Sequence, residues 1–425
     1  MATFNLPYHK TNLSIEIPDS LIAGCLESKV NEYQTNMSEP DIIQHALDHP
    51  IDSSSLETLV KNKKRMTIIT SDHTRPVPSW LTLPILLNRI RKIELDIEIT
   101  ILVATGYHRK TALEEMLPLF GKDVVIYENI VVHDSRDDSA MVQMGILPSG
   151  GELWINRLAV ETDLLIAEGF IEPHFFAGFS GGRKSVLPGI AGYQTVLANH
   201  CSEFIANDNS RAGILESNPI HQDMIYAAQQ ANLKFILNVI LNDKKEVVHA
   251  VAGDMKKAHS EGCTFLSNLC QVNRIPADIV ITTNGGYPLD QNIYQSVKGL
   301  TAAEATAKEG GVIIMVAACH DGHGGESFFN NMANASNPEE VLQSAIQVPR
   351  DKTVPDQWEY QILARILSRF KVILVTDMCD PEMIKAMHMD HAFTIEEALD
   401  LARKIKGNDA KMTIIPDGVS VIVKS

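Results

Sequence analysis

No run of 18 apolar residues occurs in the chain, and no basic segment leads into an apolar one in the N-terminal stretch MATFNLPYHKTNLSIEIPDS. Neither a membrane-spanning helix nor a secretory signal is therefore expected. There is also no C-x-x-C pair; the six cysteines (Cys25, Cys201, Cys263, Cys270, Cys319 and Cys379) are dispersed. That spacing supports neither a disulfide framework nor a structural zinc site, and it predicts a reducing, cytoplasmic setting. Positive charge is scarce, with 37 Lys and Arg against 53 Asp and Glu, a formal net charge of −16. Nucleic-acid binding needs a basic face to neutralise phosphates, so it is not expected here, although a local basic pocket for a small anion is compatible with the balance. Repeats of solenoid period, low-complexity tracts and long charge blocks are all missing. What is present is an ordinary globular composition, 45% hydrophobic and 21% charged over 425 residues. That length is enough for about two or three domains.

Short apolar, β-branched runs recur, and most end in a polar or glycine-rich stretch. They are MTIIT (66–70), ITILVA (99–104), LLIA (164–167), FILNVIL (235–241), DIVITT (278–283), GVIIMVAAC (311–319) and KVILVTDM (371–378). Continuous apolar strands of this kind suit parallel sheets covered on both faces. Helical patterns alternate with them, at 357–370 and at 395–406, the latter with a Thr394/Glu397 capping box and a Gly407 stop. The alternation predicts an α/β protein of two domains, each a largely parallel sheet flanked by helices. Ligands would collect beyond the carboxyl ends of the strands. A fresh strand pattern after Arg274-Ile275-Pro276 divides domain 1–273 from domain 274–410, and the last strand, in 411–425, is expected to return to the first domain. The stretch 202–222, rich in Asn, Ser and Gly, reads as a loop.

The densest motif is EGFIEPHFFAGFSGGRKSVLPGIAG (168–192), with five glycines between Gly178 and Gly192 around Arg183 and Lys184. Glycines let backbone N–H groups approach an anion, and the cations add charge, which predicts an anion site. A tight surface turn with two solvated cations is the simpler alternative, but no Asp or Glu follows Glu172 in this motif to solubilise it. Residues 178–185 nearly match the phosphate loop G-x-x-x-x-G-K-[ST]; Arg183 stands where the second glycine is required, which argues against a nucleotide triphosphatase. Next comes Ser71-Asp72-His73-Thr74-Arg75-Pro76, directly after a strand run. It reads equally as a helix N-cap with Pro76 at the first helical position and as an anion site with Arg75 as its fork. Ala104-Thr105-Gly106-Tyr107-His108-Arg109 ends another run. Histidines at three such places, His73, His108 and His174, suggest acid–base chemistry more strongly than a lone one would. Asn199-His200-Cys201 falls in a helix-like stretch from Tyr193 to Asn207, and His200 has no sequence-adjacent partner for a metal site. In the 282–298 segment, Tyr294 and Lys298 share a helix face, with Gln295 beside them. The pairs His320/His323 and His388/His391 lack third and fourth ligands nearby and are discounted as metal sites.

Taken together, SDHTRPVP, VATGYHR, EGFIEPHFFAGFSGGRKSVLPGIAG, ANH and TNGGYPLDQNIYQSVKG resemble the nickel-pincer-nucleotide lactate racemase family. GLTAAEAT, DGHGGE, PDQW and the closing IIPDG extend the likeness over nearly the whole chain. The resemblance implies that Lys184 is joined covalently to a pyridinium mononucleotide carrying two thiocarboxyl groups, and that His200 is the protein ligand of the nickel bound there. It implies His108 and His174 as the acid–base pair. Asp72, His73, Thr74 and Arg75 would hold the cofactor, and Arg75, Tyr294, Gln295, Lys298 and Trp358 would bind substrate. Domain 1–273 then carries the cofactor and 274–410 closes over the substrate. Enzymes of cofactor synthesis become maturation partners.

The implied chemistry is self-consistent. The Cα–H of a 2-hydroxy carboxylate is a poor acid, because its loss as a proton would place a second negative charge beside the carboxylate. Lost as a hydride to a cationic pyridinium, it leaves a neutral ketone, provided that a base takes the hydroxyl proton. Returning the hydride to the other face then racemises the centre, with one histidine serving each side. Isomerisation of D- and L-lactate is the expected activity. Racemisation of another 2-hydroxy or sugar acid, and non-catalytic carriage of the nucleotide, are the alternatives.

Overall fold

All seven apolar runs are strands, and they divide between two sheets. The structure, a computed structural model describing residues 1–424, has one six-stranded sheet ordered Val247–Gly253, Leu233–Leu241, Leu164–Phe170, Arg65–Ser71, Glu98–Ala104, Asn129–Val132. Its neighbours are parallel except the first pair. The second is ordered Asp390–Ala392, Lys371–Val375, Val312–Val316, Ile279–Thr283, Met412–Ile415, Ile22–Cys25, and is parallel throughout. The first sheet lies in a compact unit of residues 29–199 and 209–269; the second belongs to a unit of 1–28, 200–208 and the chain from 270 onward.

In the first unit the strand order reverses between Arg65–Ser71 and Leu164–Phe170. The chain runs on to Glu98–Ala104 on one side and to Leu233–Leu241 on the other. Loops leaving adjacent strands at such a reversal diverge and open a crevice beyond the strand ends. Those loops are the Asp72–Arg75 and Glu172–Ser185 segments. Leu164–Phe170 is buried at all seven positions, Glu168 included. Hydroxyls of Thr70, Ser79 (2.6 Å) and Thr82 (2.8 Å) donate to the Glu168 carboxyl, and burial still pushes its pKa up. In the second unit the order reverses between Ile279–Thr283 and Met412–Ile415, and the helix Ile293–Thr306 follows that point.

Four local expectations change. Strand Met412–Ile415 pairs with Ile279–Thr283 and Ile22–Cys25 rather than rejoining the sheet of the N-terminal half. Residues 1–28 accompany it, because the ribbon Ala2–Tyr8/Thr11–Ile17 buries Leu6, Tyr8, Ile15 and Ile17 on that sheet's core. The helix after the first motif begins at Ser79, not Pro76, and Pro78 stands at its N-cap. Two prolines spaced by one residue hold Arg75 and Val77 out of the helical region, so 72–78 is a turn and offers no helix N-terminus to an anion. Finally, Tyr193 to Asn207 is two helices, Tyr193–Asn199 and Ser202–Ala206, broken at His200-Cys201; with Pro219–Gln230, the latter leaves only the middle of 202–222 as loop. No helix among the described residues is long and apolar enough to cross a membrane.

Candidate active site

At the end of Arg65–Ser71 the chain turns sharply. The Asp72 carboxylate accepts from the Thr74 N–H (3.1 Å) and hydroxyl (2.6 Å), and the Arg75 N–H bonds the Asp72 carbonyl (3.2 Å). On the adjacent strand's loop, His108 Nδ1 lies 2.8 Å from the other Asp72 carboxylate oxygen. Burial alone would raise the Asp72 pKa, but the hydrogen bond and charge of His108, with Thr74 and Arg75, hold it below its ordinary value. An ionised carboxylate at Nδ1 fixes the proton there and leaves Nε2 as the basic nitrogen. Asp72 was expected to hold a cofactor; its own partners are a turn and a histidine.

His73, one residue on, faces elsewhere. Its Nδ1 meets Thr111 Oγ1 at 3.1 Å and stands 3.9 Å from Glu115, and burial lowers its pKa. His73 is thus not brought to the Asp72–His108 pair by its side-chain bonds.

The glycine-rich motif works differently from its sequence reading. Arg183 is completely buried and donates to the carbonyls of Ala177 (2.8 Å), Gly181 (3.2 Å) and Ser180 (3.3 Å), with His259 Nε2 at 2.9 Å. Burial lowers its pKa to about 10, so the guanidinium is charged at neutral pH, while burial and Arg183 together keep His259 neutral. The Gly182 N–H is taken by Asn238 (2.8 Å), and at Gly181, where φ is +76°, a Cβ would strike that same Asn238 oxygen and the Phe170 carbonyl, each at 2.8 Å. Backbone donor and cation are both used internally. The Gly182 N–H and Arg183 thus close a clasp that carries Lys184, and neither is offered to an anion. Replacing Arg183 by Met should lower stability by about 3 kcal/mol, since several carbonyls lose their donors in a buried place. The urea midpoint measures this, and an unmoved midpoint would mean the guanidinium does not hold the clasp.

Lys184 is half-buried on the short helical turn Gly182–Ser185, with Nζ 5.7 Å from the centre of the Phe176 ring. The same ring packs edge-on against His174 at 4.5 Å, so Lys184 and His174 flank one aromatic. His174 Nδ1 accepts the Ala177 N–H (3.3 Å), which places the proton of the neutral ring on Nε2. A further bond, Gly106 N–H to the Gly189 carbonyl (2.9 Å), ties the loop of His108 to the clasp. Asp72, Thr74, Arg75, His108, His174 and Lys184 thus all stand on loops at or beside the strand-order reversal of one sheet.

The other unit carries a second group. Trp358 is buried on the helix Gln357–Leu367; its indole N–H donates to the Tyr294 hydroxyl (3.0 Å) and its ring meets that of buried His200 at 5.1 Å. Tyr294 also bonds Asp356, and burial, with Glu359 and Asp356 nearby, holds its phenol well above its ordinary pKa. Gln295 and Lys298 follow on the helix Ile293–Thr306, and the Gln295 side-chain carbonyl is buried without a donor. In the discounted pairs, His388 meets the Met332 carbonyl (2.9 Å), His391 that of Thr376 (2.8 Å), and His323 Nδ1 accepts the Gly325 N–H (3.0 Å). Asp356 and Glu359 escaped the sequence reading. Nothing in PDQWEY marks Glu359 as buried or Asp356, at the helix N-cap, as the partner of Tyr294; only the packing of this helix does so.

These residues fit the group that the resemblance implies. Lys184 offers a primary amine on an immobilised loop, and His200 offers a buried imidazole oriented by an aromatic ring. Among the described residues no three His, Cys, Asp or Glu side chains converge as a metal site. A metal ligated by His200 would therefore take its other donors from a bound group, and soft sulfur donors with one imidazole suit nickel.

Comparison with known proteins agrees with the sequence motifs. Residues 8–213 match the family model for the lactate racemase N-terminal domain, and 272–423 that for the lactate racemase C-terminal domain. The chain is 58% identical over 424 residues to the lactate racemase of Thermoanaerobacterium thermosaccharolyticum and 54% identical to that of Lactiplantibacillus plantarum, with all of each chain covered. It superposes on the solved lactate racemase apoprotein from T. thermosaccharolyticum with a TM-score of 0.97 at 57% identity, over the whole of both chains. A protein from Thermotoga maritima shares the fold, with a TM-score of 0.69 at 19% identity, covering 92% of this chain and all of that one.

Proposed function

Since the chain belongs to the lactate racemase family and is an isomerase, we propose that it interconverts D- and L-lactate with a nickel-pincer nucleotide joined to Lys184. The observation that carries this reading is the opposite tethering of two histidines. His108 is held by an anion at Nδ1 and so offers a basic Nε2, whereas His174 accepts at Nδ1 and so carries its proton on Nε2. A racemase needs one group ready to receive the hydroxyl proton and another ready to give one, with the roles exchanged in the reverse direction.

Lys184 and His200 would hold the nucleotide and its nickel, which would supply a reversible acceptor for the Cα hydride. The protein does the rest. Arg75 and Lys298 hold the substrate carboxylate, Arg75 through its planar fork. The unpaired Gln295 carbonyl meets the substrate hydroxyl or holds the 2-oxo form's surroundings in register. Asp72 stabilises the imidazolium that forms when His108 Nε2 takes the hydroxyl proton, and Thr74 keeps that carboxylate in place. His73, whose side chain turns to Thr111 and Glu115, is assigned to the cofactor side. The enzyme works in the cytoplasm, in keeping with six free cysteines, and is matured by cofactor-synthesis enzymes.

Substrate choice follows from the aromatic walls. Trp358 and Tyr294 spend their polar atoms on each other and on Asp356, leaving ring faces towards the third substituent on Cα. A methyl group suits such a surface. A second carboxylate there would be unpaired and close to an acid, at several kcal/mol. On cofactor-loaded enzyme, kcat/KM should fall from lactate to 2-hydroxybutyrate by about 1–3 kcal/mol, the effect of one methylene, and to malate by roughly 10²-fold or more. Malate reacting faster than lactate would sink the lactate assignment, and inertness towards every 2-hydroxy acid would sink the racemase reading itself.

A further inference from the structure

Glu359 has no part in the reaction as described. It is fully buried on the helix Gln357–Leu367, next to Trp358, and neither carboxyl oxygen has a hydrogen-bond partner. This helix packs against Ile293–Thr306, which carries Tyr294 and Lys298. An ionised carboxylate buried without donors is strongly disfavoured unless a cation faces it. Lys298 is the cation that acts on Glu359, and Asp356 is the acid that acts on it. Tyr294 feels the charge of both acids and bonds Asp356. On the other helices packed here, Glu203, Glu326, Glu339 and Glu340 lie on exposed faces. Arg365, on the same helix, is engaged by Glu304 at 2.8 Å, and Arg350 by Glu203 at 2.9 Å.

We propose that Glu359 is a positioning residue that sets how much of the Lys298 charge is left for the substrate carboxylate. The proposal rests on Lys298 being a ligand of that carboxylate. Protonated, Glu359 leaves the ammonium's field to the substrate; ionised, it becomes a second anion competing for one cation. Burial pushes the Glu359 carboxyl up to about 8, with Lys298 drawing it down and Asp356 adding to the rise. The changeover therefore falls just above neutral pH. An arriving carboxylate stabilises the protonated form, so substrate binding in this range takes up protons.

The test is KM for lactate against pH, from 6.5 to 9, on cofactor-loaded parent and on Glu359→Gln. In the parent, KM should climb above about pH 8, towards tenfold per pH unit, the limit for one linked proton. In Glu359→Gln it should stay level, while kcat keeps the parent's pH profile. A merely structural role predicts no selective flattening of KM. A variant that retains the alkaline climb, or a parent that never shows it, overturns the proposal. If Glu359→Gln does not fold, calorimetry on the parent gives the same answer. Racemic lactate, which undergoes no net reaction, is titrated at pH 8 in two buffers of different ionisation enthalpy. Uptake of a fraction of a proton supports the proposal, and none overturns it. A parent inert towards every 2-hydroxy acid overturns the functional reading and this proposal with it, whereas an active parent with a pH-independent KM overturns this proposal alone.

Discussion

Lys184→Ala protein made alongside the cofactor-synthesis enzymes is expected to show its unmodified mass and no racemisation above background. Parent protein made in the same way should carry an adduct localised to Lys184. If the tethered nucleotide is the hydride acceptor, its loss removes the acceleration as a whole, at least on the order of 10⁶-fold. The fold should survive the change. The clasp is closed by Arg183, by the Gly182–Asn238 bond and by backbone contacts, among them the Lys184 N–H to the Gly181 carbonyl (3.1 Å) and the Gly189 N–H to the Lys184 carbonyl (3.1 Å). None of these needs the lysine side chain, so the effect on stability should stay within about 1 kcal/mol. Lys184→Arg is the stricter control, because it keeps a cation over Phe176 but cannot form the same bond to a thiocarboxyl group. It should be equally inert. Activity in a protein without an adduct, or an adduct that persists in Lys184→Ala, would refute the tether. Parent made without the synthesis enzymes should be inactive whatever nickel is added.

The contrast between Lys184 and Arg183 shows how far the sequence could be read. Both are basic residues in a glycine-rich motif, and composition gives no way to tell which faces a ligand and which faces inward. The carbonyls that bind Arg183 lie two to six residues earlier and are set by the local turn, whereas His259 and Asn238 come from segments far along the chain. The strands were legible for the opposite reason. A fully buried parallel strand is a continuous apolar run, and Arg65–Ser71 or Val312–Val316 is recognisable without its partners. Pairing was not legible. Ile22–Cys25 lies beside Met412–Ile415, and nothing in either segment names a neighbour so distant in sequence. The apolar run LLIA stops at Ala167 in the sequence, whereas the strand continues through Glu168 to Phe170, because the hydroxyls that accommodate Glu168 come from Thr70, Ser79 and Thr82. Asp72 was recognised as belonging to the site, but its bond to His108 joins loops of two adjacent strands and required the sheet order.

That bond leads to the second large effect. His108→Ala and His174→Ala should each lower kcat/KM by roughly 10²–10⁴, the range for a positioned general acid or base. Each should do so equally in both directions. The two enantiomers are of equal free energy, so the ratio of forward to reverse kcat/KM is fixed at unity and no substitution can change it. Unequal losses would therefore expose an artefact of assay or inhibition. If inversion uses both histidines, the variants resemble one another, whereas a single-base route would leave one of them close to the parent. Asp72→Asn separates base from orienter. The imidazole remains, but a neutral amide no longer fixes the proton on Nδ1 or stabilises the imidazolium, and the comparable loss where a carboxylate orients a catalytic histidine reaches about 10⁴. Asp72→Asn should thus approach His108→Ala in kcat while retaining the Lys184 adduct. An Asp72→Asn enzyme within a few-fold of the parent would show that the 2.8 Å contact with His108 is structural only. Loss of the adduct in that variant, with His108→Ala still loaded, would return Asp72 to the cofactor.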